Sequence, residues 1–224
     1  MLPPDTVRVS RMVSESQAFA VTAYFTIKNL IILVGLGAFY GILSKSLVMV
    51  LATVQMFAIL FSGYPFLVGE ESGIDPLYKL FGINSKDVVR GRYLLATLFV
   101  GVMLIIGMIL ALITTLIFPI TDAYQILLLT APVIGLVALF IIFIEYPIYF
   151  KYGYKKGKTL ATIPFLLIAV GAVGSAFFGN QLKMIVQLFI MNKLMGIIAA
   201  LAAFAIVLYV SFKLSNKLYA RRDF

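Results

Sequence analysis

Cysteine, histidine and tryptophan are all absent from this chain. Without cysteine there is no disulfide framework and no thiolate nucleophile; without histidine the commonest general base and the usual zinc and haem ligands are missing too. Acidic residues are scarce, nine in 224, and they are scattered, which leaves little to build a carboxylate metal centre or an acid–base pair. We therefore expect no catalytic residues and no metal ligands. Long polar runs are also lacking. The longest interruption is residues 69–92, so no separate globular domain fits and residues 1–224 read as one transmembrane domain.

What fills the chain instead is apolar: 62% hydrophobic residues against 12% charged, far outside the range of a soluble domain. The lipid bilayer is its expected surroundings. Residues 1–20 carry Asp5, Arg8, Arg11 and Glu15 and do not read as a cleavable signal, although Val9, Met12 and Val13 suit a short interfacial helix. Six apolar stretches follow, at 22–43, 47–68, 93–118, 124–146, 159–178 and 194–212. Each approaches the roughly 20 residues needed to cross a bilayer. The fold class expected is all-α and integral to the membrane, with six transmembrane helices.

Lysine and arginine set its orientation. Arg8, Arg11, the basic residues of 79–92, those of 151–158 and those of 213–222 fall on one side, against Lys45, Lys183 and Lys193 on the other. Both termini are expected in the cytoplasm. The net charge of +9 then reports topology rather than a nucleic-acid partner. The outer turns at 44–46 and 119–122 are short, and 179–193 has a helical stripe that suits an outer-surface or re-entrant helix.

The 69–92 stretch, on the cytoplasmic side, is patterned. Asp75 before Pro76 predicts a helix start, with Asp75 as its cap, and Gly82 predicts its stop. Between them Leu77, Tyr78, Leu80 and Phe81 make a short helix apolar over much of its surface, with Lys79 its one charge after the start. Asn84, with Asp87 three residues on, predicts the cap of a second helix that runs into the third span.

Several features invite other readings. Residues 152–159, YGYKKGKT, look like a phosphate loop, but Gly153 and Gly157 enclose three residues where that motif needs four, and no strand precedes them. Attraction to anionic headgroups explains these lysines better. Glu70 and Glu71 match the paired glutamates of membrane proteases, whose histidines are absent here. Lys28 and Glu145 are the ionisable residues nearest membrane depth; both lie near enough to a cytoplasmic end to snorkel, and Glu145 can pair with Lys151. Gly37 with Gly41, and Gly171 with Gly174, form thin helix faces that suit close packing within one chain or between two copies.

Two loops carry a family likeness. The run Phe81-Gly82-Ile83-Asn84-Ser85-Lys86-Asp87-Val88-Val89, preceded by Glu70, Glu71, Asp75 and Tyr78 and followed by Gly91-Arg92-Tyr93-Leu94, resembles the small permeases of the ABC type-2 exporter family. Bacitracin-resistance and phenol-soluble-modulin exporters are in that group. The chain departs from the pattern at Gly82, Asn84 and Ser85, where the family has Pro, Ser and Arg. Tyr146-Pro147-Ile148-Tyr149-Phe150-Lys151-Tyr152-Gly153-Tyr154 resembles the family's closure of the fourth span.

The resemblance implies a permease domain over 1–224 in the bacterial cytoplasmic membrane, exporting an amphipathic or hydrophobic substrate such as a peptide toxin or antimicrobial. It implies a separate ABC ATPase subunit, which would hold ATP and magnesium, with no cofactor in this chain. The ATPase contact would fall on a coupling helix at Asp75, Leu77, Tyr78, Lys79, Leu80 and Phe81. A second copy, or a homologous permease, would pack at Gly37, Gly41, Gly171 and Gly174. Two other functions compete: a membrane-embedded lipid-modifying enzyme, which would need clustered acids or histidines, and a non-catalytic immunity or partner protein, which gives the short helix no task.

Overall fold

A computed structural model describes residues 31–33, 35–37, 39, 43, 45–118, 120, 122–177 and 193–222, with side chains described except at 163–197 and 200. Every element among the described residues is helical. In chain order they are α1 (Leu47–Ser62), α2 (Tyr64–Glu71), α3 (Ile74–Leu80), α4 (Ser85–Ile117), α5 (Ala123–Phe177) and α6 (Lys193–Ala220), and the residues described between 31 and 43 are helical as well. Two compact units divide the chain, one up to Ile142 and one from Phe143.

In the first unit the core is a helix pair. α1 buries Leu47, Val50, Leu51, Val54, Gln55, Ala58, Ile59 and Ser62, a strict three–four spacing that makes one stripe. α4 answers with Ala96, Val100, Met103, Gly107, Ala111 and Thr114. The helices run antiparallel: Gly107 lies against Leu51 and Val54, Gln55 Nε2 donates to the Val100 carbonyl at 3.3 Å, and Phe61 meets Phe99 edge-on. Lipid offers no hydrophobic drive between helices, so small residues that permit close backbones do the work. A Cβ on Gly107 would lie 3.2 Å from Leu51 Cδ2. The start of α5 completes the core, with Ala123, Leu127 and Ala131 packing on Leu47, Val50, Leu51 and Ala111.

Hydroxyls in these helices cannot rely on water. Ser62, Thr97, Thr114, Thr115 and Thr130 each donate to a carbonyl three or four residues back, at 2.6–3.0 Å. The short turns expected at 44–46 and 119–122 share one end of the unit. Lys45 and Asp122 take positive φ there, and Lys45 Nζ lies 5.7 Å over the Phe118 ring. α3 and the start of α4 are at the opposite end. At about 1.5 Å per residue the 33 residues of α4 extend ~50 Å, well beyond a ~30 Å hydrocarbon core. One continuous helix therefore joins α3's end of the unit to the short turns.

In the second unit α6 lies along the 143–150 part of α5. Ser211 donates to the Phe143 carbonyl, Phe204 packs on the Phe143 ring and Tyr219 meets Phe150 edge-on at 5.5 Å. Residue numbers rise together across these contacts, so the two helices run parallel.

Four stretches are long and apolar enough to cross a membrane among the described residues: Leu47–Glu71, Ser85–Ile117, Ala123–Thr162 and Leu201–Ala220. They cover the second, third, fourth and sixth expected spans. The fifth, 159–178, is helical through Phe177 as the end of α5. Most of the first span with Lys28 and Gly41, the helix near Val9 and the outer stripe before Lys193 lie outside the described residues.

Gly107→Leu is expected to pry α1 from α4 and lower stability by about 1–3 kcal/mol, the usual cost of overpacking. Thermal unfolding of the purified protein checks it. Gly101→Leu, at a site where a Cβ meets nothing within 4 Å, should leave the midpoint unchanged.

Candidate functional site

α3 has seven residues, too few for a helix to hold by itself, so its ends and anchors decide whether it exists. Both ends are glycine at positive φ, Gly73 at 65° and Gly82 at 67°, a conformation that costs other residues a steric penalty. At the far end Ile83 N–H reaches the Tyr78 carbonyl and Gly82 N–H the Lys79 carbonyl. This is the Schellman arrangement with glycine at its left-handed position, the stop that Gly82 predicts. Asn84 then starts α4, accepting from Lys86 N–H at 3.1 Å. The expected cap at Asn84 is present.

The expected cap at Asp75 is not. The cap position belongs to Gly73, two residues earlier, and Asp75 lies inside the first turn with no capping bond. Its carboxylate is committed elsewhere: Oδ1 accepts from Arg92 Nη2 at 2.5 Å, and the two residues are 3% and 2% exposed. The Arg92 guanidinium also lies 4.4 Å over the Phe66 ring of α2. Gly69 makes the space, since a Cβ there would stand 2.9 Å from Arg92 Nη2 and 3.2 Å from Asp75 Oδ2. Three helices thus meet at one buried ion pair. Spacing rules do not reveal a pair seventeen residues apart; the available signal was an acid and an arginine at the two ends of one short loop.

With Asp75 and Tyr78 turned inward, the opposite face of α3 is fixed outward. Leu77 is 44% exposed, Leu80 78% and Phe81 68%, with Lys79 also at the surface. Of the six residues expected to contact a partner, Asp75 and Tyr78 are buried in their own chain and are corrected to anchors. The apolar patch that remains is Leu77, Leu80 and Phe81.

Gly37 is buried against Val54 and Leu110 of its own chain, where a Cβ would lie at the ordinary contact distances of 3.7 and 3.5 Å, so it packs inside the first unit. Gly171 and Gly174 are helical, in the stretch whose side chains are not described, and Gly41 lies outside the described residues.

In the second unit, Glu145 does not pair with Lys151. It is buried and accepts from the Tyr149 hydroxyl at 3.5 Å, while Lys151 Nζ lies 4.7 Å over the Tyr152 ring. Helix geometry explains the correction: residues four apart share a face and residues six apart do not. The glycines of the YGYKKGKT stretch have a structural use. Gly153, at φ 76° and ψ 179°, breaks the helix, and Gly157 lets the chain close on Tyr149, whose Cδ1 would be 2.9 Å from a Cβ there. Tyr149 and Tyr154 stack across the break at 5.7 Å.

The chain matches the family model described as ABC-2 family transporter protein over residues 19–220. It belongs to the ABC-2 transporter family. No curated protein and no solved structure matches it. ABC-2 membrane subunits work in the bilayer with ABC ATPases, and such a subunit is typically a transport component rather than a catalyst. This ABC-2 chain is accordingly a multi-pass membrane protein whose helices and short connections fit that class.

Removing one partner of a buried ion pair leaves the other charge uncompensated. Asp75→Ala is therefore expected to lower stability by about 3–5 kcal/mol. Chemical unfolding of the purified protein checks this. Asp87→Ala, on the exposed first turn of α4, should leave the midpoint almost unchanged.

Proposed function

We propose that this chain is the permease subunit of an ATP-driven exporter and that α3 is its coupling helix onto a separate ATPase subunit. Membership of the ABC-2 family supplies the class. The single observation that carries the assignment is the shape of α3: an apolar patch of Leu77, Leu80 and Phe81 faces outward on a helix held from behind. A helix resting on lipid needs no such fixed orientation, whereas a helix seated in a groove of a moving partner does. ATP and magnesium belong to that partner.

The layout supported is six spans with both termini in the cytoplasm of a bacterial plasma membrane, on the basis of the lysine and arginine distribution. The parallel run of α6 along residues 143–150 agrees with it, because parallel neighbours need one returning span between them. The cargo proposed is amphipathic or hydrophobic, a peptide toxin or antimicrobial. A second copy, or a homologous permease, completes the transporter, with Gly41, Gly171 and Gly174 the contacts proposed for it.

Each buried side chain of the patch is worth about 1.5–3 kcal/mol, and several together suffice for a cycling interface. Leu80→Asp and Phe81→Asp are expected to abolish co-purification of the partner ABC ATPase while leaving the amount of permease in the membrane unchanged. ATPase capture undiminished in both variants would remove α3 as the contact.

A further inference from the structure

The buried Asp75–Arg92 pair is a costly way to attach a short helix. Charges lose their hydration on burial, and well-packed apolar residues in their place are often as stable or more so. The pair must therefore be judged by what an apolar contact would not provide. An apolar contact tolerates rotation and sliding. The charge-assisted hydrogen bond from Arg92 Nη2 to Asp75 Oδ1 does not, because it is directional, and the guanidinium carbon also lies 4.4 Å over the Phe66 ring.

Its location adds to this. Asp75 is in the first turn of α3, Arg92 is two turns into α4, and Phe66 and Gly69 belong to α2. The pair is the point at which the short helix is tied to both flanking span-forming helices. Gly69 shows how closely the junction is built, since a methyl group there would collide with Arg92 Nη2 and crowd the Asp75 carboxylate.

We propose that Asp75 and Arg92 are positioning residues that hold α3 in one orientation on α4, so that a load on Leu77, Leu80 and Phe81 reaches the long helix rather than being lost in the loop. That consequence holds with α3 as the ATPase contact; the orientation of α3 stands without it. The pair does not touch the ATPase. Its loss should separate binding from driving: the partner still docks on the apolar patch, but its cycle no longer moves the spans.

Cysteine is absent, so spin labels can be placed cleanly at Leu80→Cys and Arg90→Cys, both exposed. Pulsed distance measurement in lipid nanodiscs is expected to give one narrow distance in the otherwise native chain. The double substitution Asp75→Val with Arg92→Met removes both charges and avoids an orphaned one. It should unfold no earlier than the native protein yet spread that distance into a broad distribution. Gly69→Ala should broaden it as well, by wedging the pair apart, and Gly101→Ala should not.

With the ATPase added, the double variant should capture it at native yield while ATP hydrolysis in the complex falls back to the rate of the isolated ATPase. A merely stabilising pair would not alter turnover at equal capture. A narrow distance in the double variant, or hydrolysis equal to that of the native complex, overturns the proposal. If the native chain itself captures no ATPase, the coupling assignment of α3 fails, and the label distances still decide whether the pair fixes the helix.

Discussion

A seven-residue helix between two membrane-spanning helices has no stability of its own. What makes α3 a defined object is the ion pair beneath it, with Asp75 and Arg92 both buried and the arginine laid over Phe66. The surface that α3 presents follows from that anchorage. The inward turn of Asp75 and Tyr78 forces Leu77 and Leu80 outward, because residues three apart on a helix share a face. Phe81 joins them at the cap, and the Schellman stop at Gly82 turns the chain directly into α4.

Under the proposed coupling, a push at that end would meet a stiff element. α4 is continuous from Ser85 to Ile117, so one stiff element joins α3's end of the unit to the short turn that follows. Its close approach to α1 at Gly107, the Gln55 bond to the Val100 carbonyl and the self-satisfied hydroxyls leave that helix pair little freedom to shear in place. Displacement of α4 would be carried by α1 with it. In the second unit, Gly153 interrupts the helix and Tyr149 and Tyr154 close the break by stacking.

Features governed by local chemistry were legible in the sequence. The Asn84 cap and the Gly82 stop each follow from a few adjacent residues, and both are present. Features governed by distant partners were not. Asp75 before Pro76 obeys the rule for a helix cap, yet the carboxylate has a stronger partner in Arg92, which the positive-inside rule treats only as one more cytoplasmic charge. Gly37 and Gly107 look alike as small residues in apolar stretches; only the fold shows that both face helices of the same chain. Glu145 beside a cluster of lysines suggests an ion pair, but the helix brings it Tyr149 instead. The family likeness in the 70–94 loop identified the class because it lies in a run of adjacent residues, whereas the buried junction beneath that loop is long-range.

In the proposed coupling, α3 presents Leu80 to a protein partner from a rigid base. The most direct measurement is photocrosslinking from a photoreactive residue placed at Leu80, with the same residue at Tyr78 as the inward-facing control, in membranes that contain the ATPase. Position 80 should crosslink to the ATPase and position 78 only within its own chain. Crosslinks from position 80 to lipid alone, with the ATPase present and active, would contradict the account.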